Sequence, residues 1–326
     1  MKKSSAHDES KKIIDVSLNN LLTFLGILLI LLSYLLNNYN IQNSKNNTSK
    51  NNSQKSLKEE RINKTTEGDK NNEIINPLPV DTSFTAQSYL VFDESSKEIV
   101  GGKNINKKMP IASLTKLATA LVSIEKFPLD LQLTVPQKCI GLEGNNVGLK
   151  LNERFYVEDL LYGLLLRSAS DAACVLYQNY PGGMSVFIKD MNNLAKSLNM
   201  NNTNFVNPIG LDHPNHYSTA LDLLKLINHY KKVETLKIIS GTRDYTLKSL
   251  NSNSVYYILN TNELLHKIPG TVGYKTGYTT KAKECLIYGY NNQNKKVIII
   301  ALGSSNRFYD TKNLLDIYLS KVSSPR

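Results

Sequence analysis

The chain has 326 residues, 41% hydrophobic and 21% charged, with a formal net charge of +11. That length suits one large α/β or α+β domain with an appendage, or two average domains. The basic balance would suit nucleic acid, anionic lipid or an anionic wall polymer, but no compact Lys/Arg cluster with interleaved aromatics occurs, which argues against nucleic acid.

Lys2, Lys3, Lys11 and Lys12 precede a largely apolar run over Leu21–Leu36, which reaches 21 residues when extended back to Val16 with Ser17, Asn19 and Asn20 near the headgroups. A helix of that length crosses a hydrocarbon layer. The lysines resist translocation, so residues 1–15 are expected in the cytoplasm and the bulk of the chain outside. A cleaved signal peptide wants a shorter apolar core and a small-x-small site, yet Asn37, Asn38, Tyr39 and Asn40 follow directly. An uncleaved single-pass anchor over 16–36 is therefore predicted, in the cell membrane. Residues 37–80, rich in Asn, Lys and Ser, cannot bury enough apolar surface to offset chain entropy and are expected to form a disordered tether. Pro77 and Pro79 close it, and a globular domain is expected over 81–326.

Within that domain Ser88–Phe92 and Glu98–Val100 read as strands turning near Glu94–Lys97. After Pro110 a helical pattern covers Ser113–Glu125, with Leu114, Leu117, Ala118 and Leu121 on one stripe. Helical periodicity recurs at Val157–Tyr177, Ser185–Leu198 and Thr219–Tyr230. The end is β-rich, Gly273–Thr279, Cys285–Tyr290 and Val297–Leu302, before an amphipathic helix over Thr311–Leu319. Strands, then helices, then strands predict an α+β fold whose two chain ends share one antiparallel sheet, with helices packed on it. Cys139, Cys174 and Cys285 are far apart and odd in number, neither a disulfide framework nor a zinc spacing, and read as small buried hydrophobes.

Three strings could carry chemistry. In Ser113-Leu114-Thr115-Lys116 a hydroxyl and an amine lie one helical turn apart on one face, so a lysine of lowered pKa could take the serine proton. The pattern alone is weak, because Ser123-Ile124-Glu125-Lys126 matches it too. Only the first copy sits at a helix start, where backbone N–H groups favour developing negative charge. Lys275-Thr276-Gly277 sets a cation, a hydroxyl and a residue without a side chain along a strand, which suits an edge that binds a carboxylate while a peptide lies close. By itself it reads equally as a polar turn. Ser168-Ala169-Ser170 is, as a bare string, an ordinary helix cap.

In this order and spacing the three strings resemble the S-x-x-K, S-x-N and K-T-G set of the serine β-lactamase and penicillin-binding superfamily. The surrounding sequence is most similar to the low-molecular-mass D-alanyl-D-alanine carboxypeptidases. The likeness runs from about Ser88 to Tyr318. It includes Leu160-Leu-Tyr-Gly-Leu-Leu-Leu166, Asn207-Pro-Ile-Gly-Leu211, His216-Tyr-Ser-Thr-Ala220 and Gly303-Ser-Ser-Asn-Arg307.

The resemblance implies an antiparallel five-stranded sheet flanked by helices, plus a helical subdomain. It implies removal of the terminal D-alanine from peptidoglycan stem peptides through an acyl-enzyme, and acylation by β-lactam antibiotics. Ser113 would be the nucleophile and Lys116 its general base. Ser168 would relay the proton to the leaving amine, with Lys275 as electrostatic support. Thr276 and Arg307 would hold the terminal carboxylate, and Gly277 would let the peptide approach. The N–H groups of Ser113 and Tyr278 would form the oxyanion hole, with no metal or other cofactor required. The family's second motif ends in Asn where this chain has Ser170, whose shorter hydroxyl offers less reach and predicts slower turnover.

The alternatives are a class A-like β-lactamase, which lacks here its usual E-x-x-L-N segment, and a non-catalytic wall-binding relative. A zinc peptidase would need a third ligand beside His213 and His216, and those histidines read instead as polar loop residues near a substrate groove.

Overall fold

The computed structural model describes residues 84–323, so the expected cytoplasmic segment over 1–15, the anchor over 16–36 and the tether over 37–80 lie outside the described residues. The strand Ser88–Asp93 (β1) pairs with Glu98–Lys103 (β2) through a bulge between Val91 and Phe92. A 3-10 turn over Ala112–Thr115 leads into the helix Lys116–Lys126 (α1). Short strands Gln132–Thr134 (β3) and Arg154–Tyr156 (β4) then pair with each other.

The helices Val157–Leu165 (α2), Ser170–Gln178 (α3), Gly183–Ser197 (α4), Ala220–Tyr230 (α5) and Glu234–Gly241 (α6) follow. Next come a hairpin of Asp244–Lys248 (β5) and Val255–Leu259 (β6) and the short helix Glu263–Lys267 (α7). The strands Thr271–Thr279 (β7), Lys283–Asn292 (β8) and Lys295–Ser304 (β9) and the helix Arg307–Ser323 (α8) complete the fold.

The main sheet has the order β2-β1-β9-β8-β7, antiparallel throughout, so β7 is an edge. Successive side chains of a strand point to opposite faces. On β9, Val297, Ile299 and Ala301 pack with Leu314, Leu315 and Tyr318 of α8, while Ile298, Ile300 and Leu302 join Ile111, Leu117 and Leu121 in the helical layer. Both faces are therefore buried, which explains why Val297–Leu302 is a continuous apolar run rather than an alternating one. Each Val, Ile and Leu side chain of the run contributes about 1.5–3 kcal/mol on full burial. The α+β architecture with both chain ends in one sheet is as expected. Thr85 ties those ends together, its N–H and hydroxyl donating to the Asp310 carboxylate at 3.1 and 2.7 Å.

Three expectations are corrected or extended. The helical pattern over Val157–Tyr177 is two helices, because the first stops at Leu165, Ser168 takes a left-handed φ of 60° and Ala169 is extended. The β3/β4 and β5/β6 pairs add to the expected elements, since runs of three to five residues give too little alternation to read. The cysteines are not three isolated hydrophobes: Cys139 and Cys174 form a disulfide, and only Cys285 is free. All three are buried, but the fold brings two of them together across 35 residues.

Candidate active site

Pro110 and Ile111 deliver the chain to Ala112, which adopts φ 47°, a region that a residue with a Cβ seldom occupies. The turn then places Ser113, half-buried, directly before α1, and Lys116 begins that helix. The i,i+3 spacing works as expected: Lys116 Nζ lies 3.0 Å from Ser113 Oγ and donates to the carbonyl of Ile209 at 3.0 Å. Lys116 is 1% exposed. Burial pushes its pKa down to about 7, against a weaker opposite pull from Asp171. The second S-x-x-K copy forms no such pair. Ser123 is buried with its Oγ unpartnered among the described residues, and Lys126 is exposed.

The loop before α5 closes over this turn. Asn207 Oδ1 accepts the N–H groups of Ile209, Gly210 and Leu211, which aims the Ile209 carbonyl at Lys116. Gly210, at φ 87°, packs on the Ala112–Ser113 peptide, and a Cβ there would overlap the Ala112 carbonyl. Asp212 extends the loop to the end of β7, accepting from Thr279 Oγ1 at 2.7 Å.

From the other side comes β7. A Cβ on Gly277 would lie 3.0 Å from Ser113 N and 3.1 Å from Ala112 Cβ, so the missing side chain lets the strand touch the serine turn. Lys275 shares that face of β7 by the two-residue period. It is 1% exposed, and its Nζ donates to Thr276 O at 3.0 Å. Burial, then the positive charges of Lys116 and Arg307, hold its pKa well below the usual lysine value. Thr276 is buried with its hydroxyl 2.6 Å from that of Thr261. Tyr278 turns outward and is 63% exposed. Arg307 Nη1 donates to Gly277 O at 2.9 Å, while its Nε is buried with no partner among the described residues.

The second motif lies between α2 and α3. Ser168 is buried but hydrogen-bonds to none of Ser113, Lys116 and Lys275 among the described residues. Ser170, also buried, opens α3. Its N–H donates to Asn145 O at 2.7 Å, and its Oγ lies beside Gly144. Next to it the Asp171 carboxylate accepts the N–H groups of Val147, Gly148 and Leu149, pinning the loop after Cys139 against the start of α3.

His216 corrects an expectation. It is a buried residue, 3% exposed, rather than a polar loop residue, and its Nε2 is 2.8 Å from Thr115 Oγ1. His213 is exposed, as expected. The chemistry of Thr115 and Asp171 alone points to no role, and His216, weighed above only as a zinc ligand, has a different one. The available signal was that Asn207–Leu211 and His216–Ala220 belong to the stretches carrying the resemblance.

A profile of the family described as D-alanyl-D-alanine carboxypeptidase matches residues 75–306. Among curated proteins, the D-alanyl-D-alanine carboxypeptidase DacF of Bacillus subtilis is 30% identical over 247 residues, covering 73% of this chain and 63% of DacF. A D-alanyl-D-alanine endopeptidase of Escherichia coli is 34% identical over 233 residues, 70% of this chain and 75% of that protein. The solved structure of the Streptomyces K15 DD-transpeptidase has a TM-score of 0.70 at 27% identity, covering 74% of this chain and 99% of its own.

Proposed function

The chain belongs to the D-alanyl-D-alanine carboxypeptidase family of serine-type peptidases, and from that premise we propose that it removes the terminal D-alanine of peptidoglycan stem pentapeptides through an acyl-enzyme on Ser113. The observation that carries the reading is the 3.0 Å approach of Ser113 Oγ to an amine whose pKa is pushed down to about 7. At neutral pH a substantial fraction of Lys116 is then unprotonated and able to take the serine proton.

In the proposed reaction Ser113 Oγ attacks the carbonyl carbon of the penultimate D-alanine while Lys116 accepts its proton. The oxyanion is held by the N–H groups of Ser113 and Tyr278. A proton passes by way of Ser168 to the leaving amine, the C–N bond breaks, and D-alanine departs. Water then attacks the ester, the acid product leaves, and Ser113 regains its proton. Lys275, whose pKa is held low in the free site, would support the relay electrostatically once the negative substrate carboxylate beside it raises that pKa again. Thr276 and Arg307 receive the substrate carboxylate, a role to which the unpartnered Nε of Arg307 is suited. The edge position of β7 suits a peptide lying alongside it as an added strand. A β-lactam would acylate the same oxygen. The domain would work outside the cell membrane on the 16–36 anchor, as the apolar run and the lysines before it suggest.

Intact-mass spectrometry of the β-lactam-treated protein, with release of D-alanine from a pentapeptide, tests this. One adduct on Ser113, absent from Ser113→Ala, and measurable D-alanine release are expected. An adduct on Ser123 or elsewhere would overturn the mechanism. Rapid turnover of the drug without release would point to a β-lactamase, and labelling with neither activity to a wall-binding protein.

A further inference from the structure

The peptide joining Ala112 to Ser113 is strained on one side and functional on the other. A peptide unit is planar, so its C=O and N–H point in opposite directions, and fixing the oxygen fixes the N–H. Ala112 sits at φ 47°, where a residue bearing a Cβ is held only if its surroundings impose it. Thr115 Oγ1 donates to Ala112 O at 2.8 Å, and having one proton it must accept from its other neighbour, His216. His216 Nδ1 accepts the N–H of Val206 at 3.1 Å, which assigns the ring proton to Nε2 and makes that atom the donor to Thr115. The chain Val206 N–H, His216, Thr115, Ala112 O therefore has a single direction. Burial keeps the imidazole neutral, its pKa pushed down to about 4. Phe205 backs the ring with its own at 5.8 Å.

We propose that His216 and Thr115 are positioning residues that aim the Ser113 N–H at the oxyanion by gripping the carbonyl on the opposite side of the same peptide. The inference rests on Ser113 being the nucleophile. Without the grip, the peptide can rotate towards ordinary helical geometry and carry the N–H away from the site.

The test is the acylation of the full-length protein by a chromogenic cephalosporin, resolved into the limiting rate and the half-saturating concentration, with melting followed in parallel. Thr115→Val should lower the limiting rate about 10- to 100-fold, part of the roughly 100- to 1000-fold that loss of a whole oxyanion donor costs, and leave half-saturation within about threefold. Thr115→Ser, which keeps the hydroxyl, should recover the rate to within about threefold. His216→Phe should lose as much as Thr115→Val, and the double variant no more than either, because both break one chain. If Thr115→Val does not fold, Thr115→Cys, a weak donor, must fall well below Thr115→Ser. A Thr115→Val rate within twofold of the parent, a loss confined to half-saturation, or additive losses would overturn the proposal. A parent that forms no Ser113 adduct removes the nucleophile reading itself, which is distinct from a parent that acylates and variants that keep pace.

Discussion

Lys116 Nζ and Ser113 Oγ lie 3.0 Å apart inside a turn that leaves the amine 1% exposed. Desolvation disfavours the ammonium, and the nearby Asp171 only partly offsets it, so the pKa falls to about 7. The amine must be neutral to take a proton. The second-order acylation constant should therefore fall about tenfold per pH unit below 7 and level off above it. A profile measured from pH 5 to 9 checks this, and a limb displaced to pH 10 would contradict it. Lys116→Ala should lose both the limb and most of the rate.

The same depression affects stability. Unfolded Lys116 titrates near its ordinary 10.5 and folded Lys116 near 7. Between those values the unfolded chain binds more protons, so this group makes stability rise with pH across that window and is level below it. Urea titrations at pH 7 and 9, in the parent and in Lys116→Met, should show the parent gaining more between the two than the variant does.

Ser170 is buried beside Gly144 at the start of α3, where the family's motif carries Asn. Losing an amide contact to substrate costs about 0.5–1.5 kcal/mol, or about 1.5–3 where the partner is charged. We expect Ser170→Asn to raise the acylation constant by about ten- to a hundredfold with the adduct still on Ser113. An unchanged or lower constant would show a site rebuilt around serine.

Gly210 and Gly141 both have positive φ, 87° and 69°, but a Cβ on Gly141 meets nothing within 4 Å whereas one on Gly210 meets the Ala112 carbonyl. Gly141→Ala should cost about 1–2 kcal/mol, the conformational penalty alone. Gly210→Ala should cost more by at least about 2 kcal/mol and should also depress acylation. Equal midpoints in urea would refute the close approach.

The Cys139–Cys174 bridge closes a loop of sequence separation 35. Chain entropy gives such a closure about 3–4 kcal/mol. The double variant Cys139→Ser, Cys174→Ser should lose about that much in denaturant unfolding, and reductant should reproduce the loss in the parent but not in the variant.

On the proposed anchoring through 16–36, protease added to intact protoplasts should cleave within 37–72 and release an active domain. A mature N-terminus at residue 37 or later would show instead that 16–36 is a removed signal peptide.

What the sequence determined by itself was local. Any helical turn brings residues three apart onto one face, so Ser113 and Lys116 could be placed face to face from spacing alone; the turn is 3-10 rather than the α-helix expected from Ser113, and the pair is hydrogen-bonded. Alternating and continuous apolar runs likewise located β1, β2 and the three C-terminal strands, and with them the α+β sheet. Lys275-Thr276-Gly277 could be assigned to a strand, but its position on the open edge depends on which strand pairs with which, a matter of long-range packing.

The rest was decided only in three dimensions. Thr115 and His216 are 101 positions apart, and Ile209 meets Lys116 from a loop 93 positions away. No periodicity links such residues, because their distance is set by how the loop before α5 folds back across α1. The cysteines make the same point. Spacing could not pair Cys139 with Cys174, since a disulfide needs two sulfurs brought together in space, and that approach follows from the packing of α3 against the turn over Gln137–Cys139. The sequence supplied the reactive groups and their local geometry. Tertiary packing supplied the burial that lowers the Lys116 pKa and the contacts that hold Ala112 in a conformation it would not adopt alone.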